Sequence, residues 1–328
     1  MGKFTVYQIF DANGKGRGRF VEMTLDELDP GEVVIETAYS SVNFKDALTA
    51  TGAAKVVTRY PCVGGCDGSG TVLSSSDSRF RQGDQVICTG YDMARSHDGG
   101  YAGLMRLPAD WVVPLPQGLS LFDAMALGTA GYTSALAIEL LEHNGMAPAN
   151  GQVLVNGATG GCASLAIDML TQLGYRVTAV TGKTSEHDYL TKIGASEILG
   201  RAALSSGTRP LEKGVWAAAF DSVGGGQLAS LTRSMQQHGL IASFGNAGGI
   251  ELNTTVLPFI LRGVRLIGVD SAYTPMALRQ HVWQRLATDL RPRHLSDIVQ
   301  TITLKDLPAT FEKMLQQQTR GRTVVKID

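Results

Sequence analysis

The rhythm of apolar and polar positions changes partway along this chain. Up to about residue 120, short alternating runs such as Glu32-Val33-Val34-Ile35-Glu36-Thr37 and Gln85-Val86-Ile87-Cys88 are separated by Gly, Pro and Asp. Alternation marks strands with one buried face, so this region is predicted to be antiparallel and barrel-like. Beyond residue 150, continuous β-branched runs alternate with helix-length stretches, and candidate strands fall at 152–156, 176–181, 196–199, 215–221, 239–244 and 264–269. Strands apolar on both faces are covered on both faces. Such runs with crossover helices predict an α/β domain with a doubly wound parallel sheet. Near the end, 307–315 reads as a helix and 323–327 as a strand that could return to the first region.

The first candidate strand, Val153-Leu154-Val155, breaks into Asn156-Gly157-Ala158-Thr159-Gly160-Gly161-Cys162-Ala163 and then into a helical stretch. A strand, glycine turn and helix place free backbone N–H groups and a positive helix end beside one space, which suits a phosphate or pyrophosphate. The dinucleotide pattern G-x-G-x-x-G/A maps onto Ala158-x-Gly160-x-x-Ala163, with the central glycine intact. The same glycines would also make a tight turn in another α/β protein. The second strand, however, ends about twenty residues further on, as a βαβ unit requires. It closes on Thr181-Gly182-Lys183, with no Asp or Glu for ribose hydroxyls. A hydroxyl, a free N–H and an ammonium suit a 2'-phosphate, so NADPH is expected; Arg201, after the next strand, could reach the same group. If Lys183 is instead an ordinary helix-start lysine, NADH is the alternative.

Composition narrows the class. With 328 residues, 44% hydrophobic and 18% charged, the chain can bury a full core in two domains. A net charge of -1 offers no basic face for nucleic acid or a membrane surface. The amino terminus lacks a signal-peptide core and no run approaches twenty apolar residues, so a cytoplasmic protein is expected. The four cysteines, Cys62, Cys66, Cys88 and Cys162, are too scattered for a disulfide framework. A zinc site from Cys62, Cys66 and His97 lacks a supporting C-x-x-C or H-E-x-x-H, and no metal is expected.

Several stretches, in order and over more than 250 residues, resemble the medium-chain dehydrogenase/reductase superfamily. They are Ser41-Val42-Asn43-Phe44-Lys45-Asp46-Ala47-Leu48, Gly128-Thr129-Ala130-Gly131-Tyr132-Thr133, the glycine turn, Trp216 to Gly224, Pro258 to Val264, Gly268 to Ser271 and Gly321-Arg322-Thr323. The chain resembles the zinc-free, quinone-oxidoreductase-like branch and, within it, looks like the acrylyl-CoA reductases. The resemblance implies a GroES-like catalytic domain from 1–124 and 296–328 and a Rossmann NADPH-binding domain from 125–295, with the cofactor in the cleft. By position it implies cofactor contacts at Phe44, Thr129, Thr159, Gly160, Gly161, Cys162, Thr181, Gly182, Lys183, Arg201, Asn246, Ile260, Ser271 and Gln317. Phe44 and Ile260 could instead be plain core. The family usually has Tyr at Phe44.

The implied chemistry is reduction of a carbon–carbon double bond conjugated to a carbonyl, with hydride delivered to the β-carbon and charge developing on the oxygen. Asn43 and Lys45 are candidates for polar contact, with Asp46 orienting Lys45 and Tyr132 near the nicotinamide; Lys45-Asp46 could also be a solvated helix-start pair. Two loops depart from the family, Cys62 to Gly70 and Tyr91 to Asp98, where substrate would sit. The resemblance implies an enoyl thioester, an enone or a quinone as substrate, and a non-catalytic NADPH-binding sensor is the alternative of another class. The apolar run 264–269 would form a sheet edge, so a homodimer is expected.

Overall fold

The computed structural model describes residues 2–204 and 209–327. The chain forms two compact units, Met1–Ala130 with Ser271–Ala287 and Val299–Asp328, and Gly131–Asp270 with Thr288–Ile298.

In the second unit the sheet order is Glu197–Gly200, Arg176–Thr181, Gln152–Asn156, Trp216–Asp221, Met235–Ser243, Arg265–Gly268, all parallel. The first strand in sequence lies third in the sheet, and the order reverses there, as in the Rossmann fold. Val153, Leu154 and Val155 are buried, as strands covered on both faces must be. Predicted and observed strands agree within a residue or two except the fifth, which begins at Met235, before the expected 239. Polar Gln236, Gln237 and His238 head that strand, so no apolar run announces its start.

The first unit holds two sheets among the described residues. The larger runs Val299–Thr303, Arg322–Lys326, Val33–Ser41, Asp67–Ser75, Gln85–Thr89, Val112–Pro114, with Leu104–Leu107 also on Val33–Ser41. Its pairings are antiparallel except that of Val299–Thr303 with Arg322–Lys326. The C-terminal strand thus joins the N-terminal part of the chain.

This division differs from the expected boundaries of 125–295. Ser271–Ala287 belongs to the first unit because the helix Met276–Ala287 buries Arg279, whose guanidinium donates to Thr89 O at 2.9 Å and Ala272 O at 2.8 Å. Thr288–Ile298 belongs to the second, where the buried Asp168 accepts from His294 N at 2.8 Å. The first boundary falls inside the helix Leu121–His143, which is broken at Gly128 (φ 52°). That helix is long and apolar enough to cross a membrane by composition, but it is mostly buried inside the protein.

Candidate active site

In the second unit, Asn156 ends the first strand and ties it to the neighbouring one. Its Nδ2 donates to Asp221, and its Oδ1 accepts from Ser222 N at 2.8 Å. Gly157 follows with φ 59°, and a Cβ there would collide with Ser222 Oγ. The left-handed residue of the turn is therefore Gly157, one place before the pattern's first position, which explains why Ala158 is tolerated there. Gly160 is the N-cap of the helix Gly161–Gln172, with no side-chain cap on the first N–H groups. Thr159, Gly160, Gly161 and Cys162 thus sit together at an open helix start that suits a pyrophosphate.

The next strand ends at Thr181, whose Oγ1 accepts from Lys183 N at 3.0 Å. A Cβ on Gly182 would lie 2.9 Å from Arg201 Nε, so Arg201 rests directly against that glycine. The Lys183 ammonium is pushed below its ordinary pKa, mainly by burial, with Arg201 adding to the effect and Glu186 opposing it. Two cations that repel across a glycine fit a phosphate dianion, which would relieve both. Asn246 and Ile260 are exposed, Asn246 in the loop that packs on Ser222 to Gly224, the segment against which Gly157 also rests, and Ile260 at 68% exposure on the helix Leu257–Arg262. Tyr132 has no exposed surface.

The polar centre of the first unit is Asp67, a residue that sequence reasoning did not single out. Fully buried, it accepts hydrogen bonds from Ser41 Oγ, Asn43 Nδ2 (2.8 Å), Thr129 N (3.0 Å) and Thr129 Oγ1, and lies 3.8 Å from Arg322. Arg322, also buried, donates to Val42 O at 3.0 Å, Ser41 Oγ at 2.7 Å and Asn43 Oδ1 at 3.3 Å. A side chain at Gly128 would collide with Arg322, Ser41 and Asp67 together, so the helix break is what admits this network. Asn43 is corrected here. Its amide donates to Asp67 and to Cys66 Sγ at 3.2 Å, and its oxygen accepts from Arg322, so both its N–H groups are committed to the protein rather than to a substrate. The Thr129 hydroxyl proton is likewise given to Asp67.

Asn43 and Asp46 form a capping box at the start of the helix Phe44–Thr51, with Asn43 N donating to Asp46 Oδ2 at 2.8 Å. Tyr101 Oη donates to the same oxygen at 3.2 Å. Burial pushes the Asp46 carboxyl up to about 6, with Lys45 opposing. The Lys45 ammonium is held above its usual range by Cys66, with which it shares a side-chain hydrogen bond, and by the negative charges of Asp46 and Asp67, against the effect of burial. Burial keeps the Cys66 thiol protonated. Lys45-Asp46 is thus a half-buried cluster rather than a solvated pair.

Lys45, Asp46 and Cys66 line a cavity of about 260 Å³ within this unit, together with Ile9, Val56, Met93, Tyr101, Tyr273 and Phe311 among others. Tyr91, Met93, Ala94 and Arg95 of the divergent loop form part of its wall. They are fixed by Arg279, whose guanidinium lies 4.4 Å from the Tyr91 ring, and by stacking of Tyr91 on Trp111 at 5.5 Å. The other divergent residues have structural duties. Cys62 Sγ donates to His97 O at 3.2 Å, and both His97 ring nitrogens lie 3.0 Å from backbone carbonyls, of Asp98 and Pro30. Phe44, at 44% exposure, is not core, and Gln317 is exposed; Ser271 O accepts from Arg279 at 3.1 Å.

Comparison with known proteins agrees with this geometry. The alcohol dehydrogenase GroES-like domain family matches residues 29–117. The chain is 43% identical to the acrylyl-CoA reductase AcuI of Ruegeria pomeroyi over 97% of both chains. It is 46% identical to the protein of Bacillus subtilis named "Putative quinone oxidoreductase YhfP", over 93% of both. The crystal structure of YhfP with NAD bound superposes with a TM-score of 0.97, covering 99% of this chain and 100% of that one. The yhdH oxidoreductase of Salmonella enterica in complex with NADP is 42% identical, with a TM-score of 0.96 over 99% of this chain and 100% of that one.

Proposed function

The chain belongs to the medium-chain dehydrogenase/reductase superfamily, in the quinone-oxidoreductase-like branch of AcuI and YhfP, and we propose that it is an NADPH-dependent reductase of carbon–carbon double bonds conjugated to a carbonyl. The observation that carries this reading is the Lys45 ammonium, kept charged at the edge of a largely apolar cavity. A charge held in place before the reaction stabilises an enolate oxygen without reorganisation, and a dry surrounding strengthens it.

NADPH, when bound, supplies the hydride. The Thr159–Cys162 turn would hold its pyrophosphate, and Lys183, Arg201 and Thr181 its 2'-phosphate. In the first unit Lys45 Nζ donates to the carbonyl oxygen of the substrate. Asp46 and Cys66 hold that ammonium in place, and Asn43, Thr129, Asp67 and Arg322 fix the backbone from which it projects. Ile9, Val56, Met93 and Phe311 exclude water from the alkene.

Quinone reduction is the second reading, favoured by the name of YhfP and by Tyr273, half exposed at the cavity, on which a flat acceptor could stack. The loss of NADPH absorbance on mixing with acrylyl-CoA, crotonyl-CoA, a simple enone or a benzoquinone separates the two. Faster turnover of the alkenes supports the first reading, and faster turnover of the quinone replaces it. The strand Arg265–Gly268 ends its sheet, with exposed Val256, Ile260 and Leu261 on the preceding segment. That apolar edge is proposed to pair in a homodimer, which sedimentation would show as twice the chain mass.

A further inference from the structure

The cavity beside Lys45 is larger than the smallest activated alkenes require. An apolar cavity of about 150 Å³ accepts benzene, so 260 Å³ accepts roughly ten non-hydrogen atoms by the same proportion. An acryloyl group fills roughly half of that or less. Apolar residues form most of the remaining wall. Ile9, Tyr101 and Phe311 share one hydrophobic cluster of the first unit, and Met93 belongs to another.

The walls are also fixed. Arg279 holds both wall segments, 89–91 through Thr89 O and 271–273 through Ala272 O. Tyr91 is sandwiched between that guanidinium and Trp111. Tyr101, just after this loop in the chain, is pinned by its hydrogen bonds to Asp46 and Ser41 O. A space bounded this way does not close readily around a small ligand, and apolar area left uncovered gives up binding energy. Lys45, Asp46 and Cys66 make one polar end, and the other charged lining residue, Arg95, is paired with Asp92 Oδ1 and Tyr273 Oη, each at 3.0 Å. A carbonyl bound at Lys45 therefore leaves the apolar remainder of the cavity to whatever is attached at the β-carbon.

We propose that the site selects 2-enoyl thioesters carrying an apolar β-substituent of roughly four to six carbons, in preference to acryloyl or crotonyl groups. This rests on the double-bond reading above and names its substrate class. Burying one methylene changes kcat/KM by about fourfold, so selectivity should climb with chain length until the cavity is full.

The test uses N-acetylcysteamine thioesters, which vary only the acyl group, with the full-length protein and NADPH. From crotonyl to 2-hexenoyl, kcat/KM is expected to rise about fifteenfold, and again to 2-octenoyl. Calorimetric affinity for the saturated butyryl and octanoyl thioesters should follow the same order without any turnover. The substitution Val56→Phe, at a partly exposed wall position, should lower the octenoyl-to-crotonyl ratio at least tenfold, with an unchanged melting temperature showing that it folds. A flat or falling series, or a ratio indifferent to Val56→Phe, overturns the proposal while leaving double-bond reduction standing. If no thioester is reduced but the quinone is, the underlying reading fails and this inference fails with it.

Discussion

The two units carry their chemistry in opposite ways. In the Rossmann unit, the groups assigned to NADPH lie on one turn and one strand end: Thr159 to Cys162 consecutively, Thr181 to Lys183 consecutively, and Arg201 as the single residue from further along. Much of what they offer is backbone, held open to solvent. In the first unit the working cluster is buried and made of side chains from distant parts of the chain, with Asp67 drawing on Ser41, Asn43, Thr129 and Arg322. A site of the first kind can lose a residue and keep its fold. In the second kind, position and stability are the same network, because a buried charge that loses its partner has no water to turn to.

The largest expected effect breaks that contrast most directly. Asp67→Ala leaves Arg322 buried without its carboxylate and should destabilise the protein by about 3–5 kcal/mol, read as a lower denaturation midpoint in urea. Lys183→Ala, on the open side, should stay within about 0.5 kcal/mol of the parent. If both substitutions cost the same, the distinction between the units is wrong.

Next comes Lys45→Met, which keeps the length of the side chain and removes the charge. It should lower kcat about a hundredfold to a thousandfold, the usual effect of losing one donor to a developing oxyanion, with little change in the KM for NADPH. Lys183→Ala and Arg201→Ala should do the reverse. Each should raise the KM for NADPH about tenfold with kcat retained, and neither should affect turnover with NADH.

The smallest effect is a pH dependence. The Asp46 carboxyl, raised to about 6 by burial, takes up a proton as pH falls through that value, and Lys45 loses one of the charges around it. A modest fall in kcat/KM below about pH 6 should follow, and Asp46→Asn, which keeps an acceptor for Asn43 N, should flatten it. Stability carries the opposite sign. The native carboxyl keeps its proton to about 6 while the unfolded one releases it near ~4, so this group favours the folded state at the acid end of that window. That contribution is lost as pH rises through it. Urea midpoints should therefore show Asp46→Asn gaining on the parent as pH rises from the lower value to the higher.

The same contrast explains what the sequence shows and what it hides. The parallel sheet is visible because each strand is a continuous apolar run, and the phosphate-binding turn because its glycines are adjacent. Arg201 is harder, since it touches Gly182 only after a crossover, yet it stands at the end of a strand where a cofactor residue is sought. Lys45 and Asp46 show themselves as a helix start, but the pattern cannot say whether that start is solvated. Asp67 and Arg322 are some 255 positions apart, and although Arg322 lies in a stretch that carries the resemblance, nothing beside either residue points to the other. Gly128 gives the only local signal for that network, a glycine inside an otherwise apolar helix. Arg279, inside a short helix with polar neighbours, reads as an ordinary surface arginine until the fold brings Thr89 and Ala272 to it.

The most direct measurement follows the hydride itself. NADPH deuterated at the transferring position is mixed with a crotonyl or 2-hexenoyl thioester, and the saturated product is examined by NMR. The expected product carries deuterium at the β-carbon and a solvent proton at the α-carbon, and Lys45→Met forms it far more slowly without moving the label. Product with no deuterium, or none formed while benzoquinone is reduced readily, would contradict the assignment of this chain as a reductase of activated double bonds.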